Sequence, residues 1–475
     1  MVCLGGQPVR SCRRSWVLSL VAAVIATGLP LSAAGGAGRP QASDDGEPGI
    51  YPTGAVGGAL PDQAHAGPGR TDMVARQYRL AGPEIVGAIF RINGAAARDW
   101  KYVPAVAHNP TTNQYLVVWA DARHYQTRGL DVYGQLIAGD GTRAGPDFRI
   151  SGSFGTSDCW PSSVVYNSRN DEYLVVWTDY RSYDTRGADV YGRRVAADGR
   201  RIKHDFRIGG SGTSSQGVAF VAHNPVSNRY LVVWNDDRDA ATRGWDVYGQ
   251  RLKATGTPAG EVFRISTSTD TFDEVPRGVI RNPINNQYLV LFTGGVLGGW
   301  ESIHGQRVKA SGRLAGEPFR INQTPLSPSE GFPAIAHNAT RNQYLVAWSN
   351  STTGADSEWS VVGQRVKATG RPAGDQFEIS DATAAHPVHT PAITHGPSTD
   401  QYLVVWMGLQ WNLLVRTVRG TGKPIGPSLQ ISDLSHTLYP AAVHNPVEQQ
   451  HLVIWTAQLE LPRRDADIHG QFVAE

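Results

Sequence analysis

A chain of 475 residues would ordinarily divide into about three domains, unless it is assembled from repeats. Its composition is globular, 40% hydrophobic and 18% charged, and its 53 glycines, 29 prolines and 13 tryptophans suit short strands joined by tight turns better than long helices. The 44 basic and 42 acidic residues nearly cancel, to a net charge of +2, which supplies no electrostatic footprint for nucleic acid and excludes it as a partner.

At the N-terminus Arg10, Arg13 and Arg14 precede an apolar run from Trp16 to Leu31, and Ser32-Ala33-Ala34 offers small residues to a signal peptidase, so residues 1–34 are predicted to be an export signal. The run is shorter than the roughly 20 residues of a spanning helix, and Gly28 and Pro30 interrupt its end, so no membrane span is expected after its removal. The pair Arg13-Arg14 before Ser15-Trp16-Val17-Leu18 resembles a twin-arginine signal; the general secretory route stays open beside it. An exported protein follows, extracellular, at the cell surface or periplasmic. Cys3 and Cys12 would leave with the signal, and Cys159 alone cannot form an intramolecular disulfide, so stability must come from packing. Residues 35–84, rich in Gly, Pro, Asp and Ala without sustained apolar alternation, read as a flexible spacer.

From residue 85 the chain is periodic. An apolar run ending in an aromatic recurs as Tyr115-Leu-Val-Val-Trp119, Tyr173-Leu-Val-Val-Trp177, Tyr230-Leu-Val-Val-Trp234, Tyr288-Leu-Val-Leu-Phe292, Tyr344-Leu-Val-Ala-Trp348, Tyr402-Leu-Val-Val-Trp406 and His451-Leu-Val-Ile-Trp455, spaced by 58, 57, 58, 56, 58 and 49 residues. Each period holds four β-like segments; in the first these are Pro104–Ala107, Tyr115–Trp119, Asp131–Ile137 and Phe148–Ile150, with Asp140-Gly141 a hairpin turn between the last two. A four-stranded sheet of this size cannot cover both its faces, so repeats must stack face to face and close into a ring. The predicted fold is all-β, a seven-bladed propeller over residues 85–475. The aromatic that ends each second strand is expected to pack between blades. The last repeat stops at its third strand, Gln471 to Glu475, while an unassigned Phe90-Arg-Ile92 precedes the first; that N-terminal strand should complete the last blade and close the ring.

The proline-led strand, the polar turn, the apolar strand ending in Trp and the following Asp-Val-Tyr-Gly resemble TolB-like propeller repeats and related bacterial surface repeats. The resemblance covers residues 85 to 475 and implies architecture alone, since such propellers serve as enzymes, receptors and scaffolds.

Long loops between strands two and three, and between blades, should open on one face, the usual ligand face. Blades one to three carry recurring charges there: Asp121, Arg123, Arg128 and Asp131; Asp179, Arg181, Arg186 and Asp189; Asp237, Arg238, Arg243 and Asp246. The later blades mostly lack them, and blade seven restores only Arg464 and Asp467. Two explanations stand side by side. Each Asp–Arg pair can tie its own loop or the next blade, as guanidinium forks do well. Alternatively these groups, with Tyr125, Tyr180, Tyr183 and Trp245, present a face to a polar ligand, either a glycan or a protein. Cleavage of a glycosidic bond needs two carboxyl groups roughly 5 to 10 Å apart, one able to hold a proton. Asp121, Asp179 and Asp236 are formally available, but neighbouring arginines would depress their pKa.

His108, His223, His337, His395 and His444 recur one per blade at a turn, too widely spread for one metal ion, so no metal site and no cofactor are expected. A phosphate loop, a His-Glu-x-x-His pair and a Gly-x-Ser-x-Gly elbow are all missing from the sequence. The expectation is a monomeric, non-catalytic binding or scaffold propeller that takes a glycan or protein on the long-loop face of blades one to three. The alternative is a secreted polysaccharide hydrolase or lyase using long-loop carboxylates.

Overall fold

The computed structural model describes residues 82–94, 99–152, 157–210, 212–267, 273–295, 302–323, 329–351, 359–381, 389–408, 411–432, 436–458 and 465–475. The predicted export signal, and the spacer up to residue 81, lie outside the described residues. Everything described belongs to one compact unit, residues 75–475.

Seven antiparallel four-stranded sheets make up the unit. Six are simple meanders in chain order, running Lys101–Arg149, Cys159–Ile208, Gln216–Arg264, Asp273–Arg320, Ser329–Glu378 and His389–Gln430. In the seventh, Thr437–Asn445, Gln450–Gln458 and Ala466–Ala474 are joined at the outer edge by Ile85–Arg91, which pairs Phe90 with Gly470 and Arg91 with His469. The two ends of the propeller chain thus share one blade, as the orphan Phe90-Arg-Ile92 predicts. The inner strands of successive blades lie against one another all the way round, the seventh against the first.

The second strands explain why the blades stack. Glu172–Asp179 is buried at every position, so its apolar run does not alternate: both faces are covered by neighbouring blades. Trp177 packs with Leu116, Val118 and Val132 of blade one, and Trp119 packs with Leu452, Ile454 and Phe472 of blade seven. Each motif aromatic therefore faces the blade before it. The glycine of Asp-Val-Tyr-Gly has a packing reason: a Cβ on Gly134 would come 2.7 Å from Cδ1 of Ile150, the residue just after the outer strand.

On the short-turn face, side chains lace one blade to the next. The residue before the second strand has positive φ in every blade, at Asn113, Asp171, Asn228, Asn286, Asn342, Asp400 and Gln449. Asn and Asp tolerate this region best among residues with side chains. The asparagine ending the inner strand of the preceding blade donates to it, as in Asn109 to Asp171 at 2.9 Å, Asn224 to Asn286 at 2.8 Å and Asn445 to Asn113 at 2.9 Å. The recurrent histidines, expected at a turn, are the next-to-last residues of the inner strands that lead into these turns. Nε2 of His108 and of His223 lies within hydrogen-bonding reach of Asn113 and Asn228, and their rings pack on Tyr115 and Tyr230.

Every inner strand breaks register near the motif aromatic of its partner strand, between Tyr102 and Ala105 in blade one and between Leu438 and Ala441 in blade seven. Such bulges bend a strand and re-aim its side chains. They also explain why the first inner strand runs from Lys101 to Asn109 rather than starting at Pro104: the bulge at Val103, φ 48°, hides the alternation of its opening residues.

Candidate functional site

The long loops and the blade-to-blade connections meet on one face. Leu130 N donates to Asp158 Oδ1 at 3.0 Å, and Trp245 N donates to Asp273 Oδ1 at 2.9 Å, so the carboxylate that opens one blade holds the loop of the blade before.

In blades one to three the recurring charges form nearly identical modules. Asp121 accepts from Trp119 Nε1 at 2.8 Å and from the Arg123 backbone and Nε at 2.9 Å each, while the Arg123 guanidinium lies 3.9 Å above the Tyr133 ring and reaches Asp147. Asp179, Trp177, Arg181, Tyr191 and Asp205 repeat this in blade two. Blade three repeats it with Asp236, Trp234, Arg238 and Tyr248. The counterpart of Asp121 and Asp179 is therefore Asp236 and not Asp237. Asp236 pairs across the sheet with Asp246 as Asp121 does with Asp131, whereas Asp237 Oδ1 accepts from Ser215 N.

A second set lies one strand over. Asp131 holds Arg149 at 2.7 Å and Arg128 at 3.5 Å, Asp189 holds Arg207 and Arg186, and Asp246 holds Arg264 and Arg243. Asp121, Arg123, Arg128, Asp131, Asp179, Arg181, Arg186, Asp189, Arg238, Arg243 and Asp246, all singled out from the sequence, are in ion pairs.

Burial alone would raise the Asp236 carboxyl, but bonds from Arg238 and the Trp234 indole outweigh it and hold the group below its ordinary value. Burial would likewise lower the Arg123 and Arg181 guanidiniums, and their carboxylate partners raise both. Asp189 departs from this pattern: burial pushes its carboxyl up despite Arg207 and Arg186. A carboxylate held below its ordinary value, as Asp236 is, has no proton to donate at neutral pH and is poorly suited to general-acid work.

A different set emerges where the inner strands open, at the level that pairs with the residue two places past each motif aromatic. That level carries Lys101, Cys159, Gln216, Glu274, Glu330 and Thr437 in blades one to five and seven. Several of these side chains serve the fold. Lys101 Nζ donates to Asp99 O at 2.9 Å beside Asp467 of blade seven, and burial lowers its pKa. Cys159 Sγ lies 3.3 Å from Asp179 Oδ2, and Gln216 Nε2 donates to Gly209 O at 2.8 Å. Acidic residues occupy this level in two neighbouring blades, Glu274 buried in blade four and Glu330 in register in blade five.

Across blades one and two, three half-buried aromatic rings gather at the same end. Trp100 stacks on Tyr102 with centroids 5.2 Å apart and planes 15° apart, and Tyr102 meets Trp160 at 5.7 Å. Neither the glutamates nor this cluster follows from the recurrence of Asp and Arg. The available signal was the opposite one: positions where one repeat element changes residue type from blade to blade.

Among the described residues no group of three His, Cys, Asp or Glu side chains is placed to hold a metal ion, and no helix is long and apolar enough to cross a membrane.

No protein-family model matches the chain, and neither does any curated protein sequence. Solved structures do match in fold. One is the α-L-arabinofuranosidase of Fusarium graminearum with arabinobiose, 10% identical, with a TM-score of 0.51, covering 82% of this chain and 98% of its own. Another is a mutant form of a Fusarium graminearum α-L-arabinofuranosidase with an iminosugar inhibitor, 10% identical, TM-score 0.50, with the same coverage. At this identity the likeness is one of architecture. It falls on glycosidase propellers rather than on TolB-like repeats in particular. It also corrects the expectation of a non-catalytic binding or scaffold module: the matched propellers are sugar-cleaving enzymes with sugar or inhibitor bound, the class that the sequence placed second.

Proposed function

We propose that this propeller is an exported glycoside hydrolase acting on a polysaccharide, with Glu274 and Glu330 as its pair of acid groups. The carrying observation is their register: the acidic residues at the inner-strand openings fall on adjacent blades, four and five. Hydrolysis needs one carboxyl group to protonate the leaving oxygen and a second to act as nucleophile or to activate water, at a separation that neighbouring strands can provide. Trp100, Tyr102 and Trp160 supply flat apolar faces on which sugar rings can stack. Arg128, Arg186 and Arg243, with side chains 34%, 36% and 35% exposed, form a rim for more distant sugar units. The arabinose-containing ligand of the matched enzyme makes arabinan the first polymer to try.

The test is to incubate the purified protein with arabinan and a panel of other plant and microbial polysaccharides and to quantify released sugar. Glu274→Gln and Glu330→Gln should each lower kcat by about 100-fold or more, with KM less affected, and Asp179→Asn should keep turnover in the protein that remains folded. Retention of polymer without release by the wild type would overturn the reading. Turnover undiminished in both glutamate variants would remove these two residues from it.

A further inference from the structure

The asparagine bridge of the short-turn face is replaced at the seam between blades six and seven. There the asparagine is Gly396 and its acceptor position is Gln449. We infer that Glu475, which follows the third strand of blade seven, stands in for the missing asparagine, so that blade seven caps the turn of blade six from across the seam.

The hydrogen bonds match group for group. In blade one Asn109 Oδ1 accepts from the amides two and three residues on, Thr111 at 2.8 Å and Thr112 at 3.3 Å, and Asn445 does the same with Val447 and Glu448. Glu475 Oε1 accepts from Ser398 N at 2.7 Å and Thr399 N at 3.0 Å, the amides two and three residues after Gly396. It also accepts from both hydroxyls of that turn, and its Oε2 lies 2.6 Å from His444 Nε2. A Cβ built on Gly396 would run into the Glu475 side chain. Gly396 does not lie at positive φ, so its backbone would admit a side chain. Glycine is required there because the space is filled.

The same device appears in blade two. Blades one, three, five and six place a serine after the outer strand, and its hydroxyl accepts from an amide at the start of the third strand, as Ser151 does from Val132 at 3.1 Å and Ser266 from Val247 at 2.9 Å. In blade two that residue is Gly209, and Gln216 of blade three reaches back: its Oε1 accepts from Val190 N at 3.0 Å while its Nε2 donates to Gly209 O. In both places a repeat residue lost to glycine is replaced by a side chain from the next blade.

Four proteins test the blade-six seam: wild type, Glu475→Ala, Gly396→Asn and the double variant. Glu475→Ala uncaps the turn and Gly396→Asn collides with Glu475, so each alone should lower Tm by about 3–6 °C. In the double variant the asparagine can cap the turn as it does elsewhere, and Tm should return to within about 2 °C of wild type. A double variant that loses the sum of the two single effects overturns the inference. Hydrogen exchange gives an independent reading if Gly396→Asn does not fold. The Ser398 and Thr399 amides should exchange at least 10-fold faster in Glu475→Ala and stay protected in Glu475→Gln, which keeps the acceptor; protection unchanged in Glu475→Ala refutes the assignment.

Discussion

Blades one to three and blades five to seven solve the end of the second strand differently. In the first group an aspartate two residues past the tryptophan takes the indole N–H, and an arginine clamps it while stacking on a third-strand tyrosine. In the second group that position is Asn350, Gly408 or Ala457, and the indoles of Trp348, Trp406 and Trp455 are buried without an acceptor among the described residues. The tryptophans pack equally well in both groups, so burial of the ring builds the propeller and the polar clamp is added to part of it. Strict repetition thus marks what a blade needs in order to stack, while the two readings proposed above both start from departures from it, at Gly396 and at Glu274 and Glu330.

The largest effect should come from removing what all blades share, a closed ring. Deleting residues 85–93 takes away the outer strand of blade seven together with Phe90 and Ile92, which pack with Tyr115, Trp119 and Phe472 across the joint between blades seven and one. It also exposes the edge of Ala466–Ala474. Tm should fall by more than about 10 °C, or the chain should fail to accumulate in folded form. Thermal unfolding followed by near-UV circular dichroism checks this, and an unchanged midpoint would mean that closure contributes little.

That ring was fully legible in the sequence, because its marks are local and repeated: seven apolar runs ending in an aromatic, and one Phe-Arg-Ile out of place at the start. The site was not. The charges of blades one to three recur in the sequence and have the geometry of loop clamps in the fold, and sequence alone does not separate the adjacent Asp236 and Asp237, which only the pairing of Asp236 with Asp246 distinguishes. Glu274 and Glu330 carry no motif, and a bulge just beyond them disturbs the alternation that would have aligned them. The partnership of Gly396 with Glu475 spans most of two blades and has no local signature at all.

A smaller effect separates the two groups of blades directly. Asp179→Ala should take one of the two carboxylates that hold Arg181, the acceptor of the Trp177 indole and one contact of Cys159, at a cost of about 2–3 kcal/mol. Asn350→Ala at the matching position of blade five should cost less than about 1 kcal/mol, since the Trp348 indole already has no acceptor there to lose. Chemical denaturation of both variants measures the difference. Equal losses would show that blade five depends on the polar group at this position as heavily as blade two does.

The smallest effect is one of pH, and it sets the short-turn face apart from the charged loops. Burial, ahead of every other cause, holds His223 and His337 down to about 4 and His451 to about 3, from an ordinary 6.5. All three are neutral in the folded protein, while the unfolded chain takes up protons below pH 6.5; stability is therefore complete above that pH and declines as pH falls towards 4 and 3. Glu475 acts in a lower window. Burial opposes its ionisation, but His444, Ser398 and Thr399 hold it at about 2, so its contribution is present above its unfolded value of 4.5 and is lost as pH falls through 2. His451 occupies the place of the tyrosine that begins the motif in the other six blades, which makes it the most informative single substitution. His451→Phe should keep the packing against its neighbours and flatten the decline of stability between pH 6.5 and 4.5 by at most about 1.4 kcal/mol per pH unit. Denaturation midpoints measured across that range should show a shallower slope for the variant than for the wild type; identical slopes would place the acid sensitivity of the ring elsewhere.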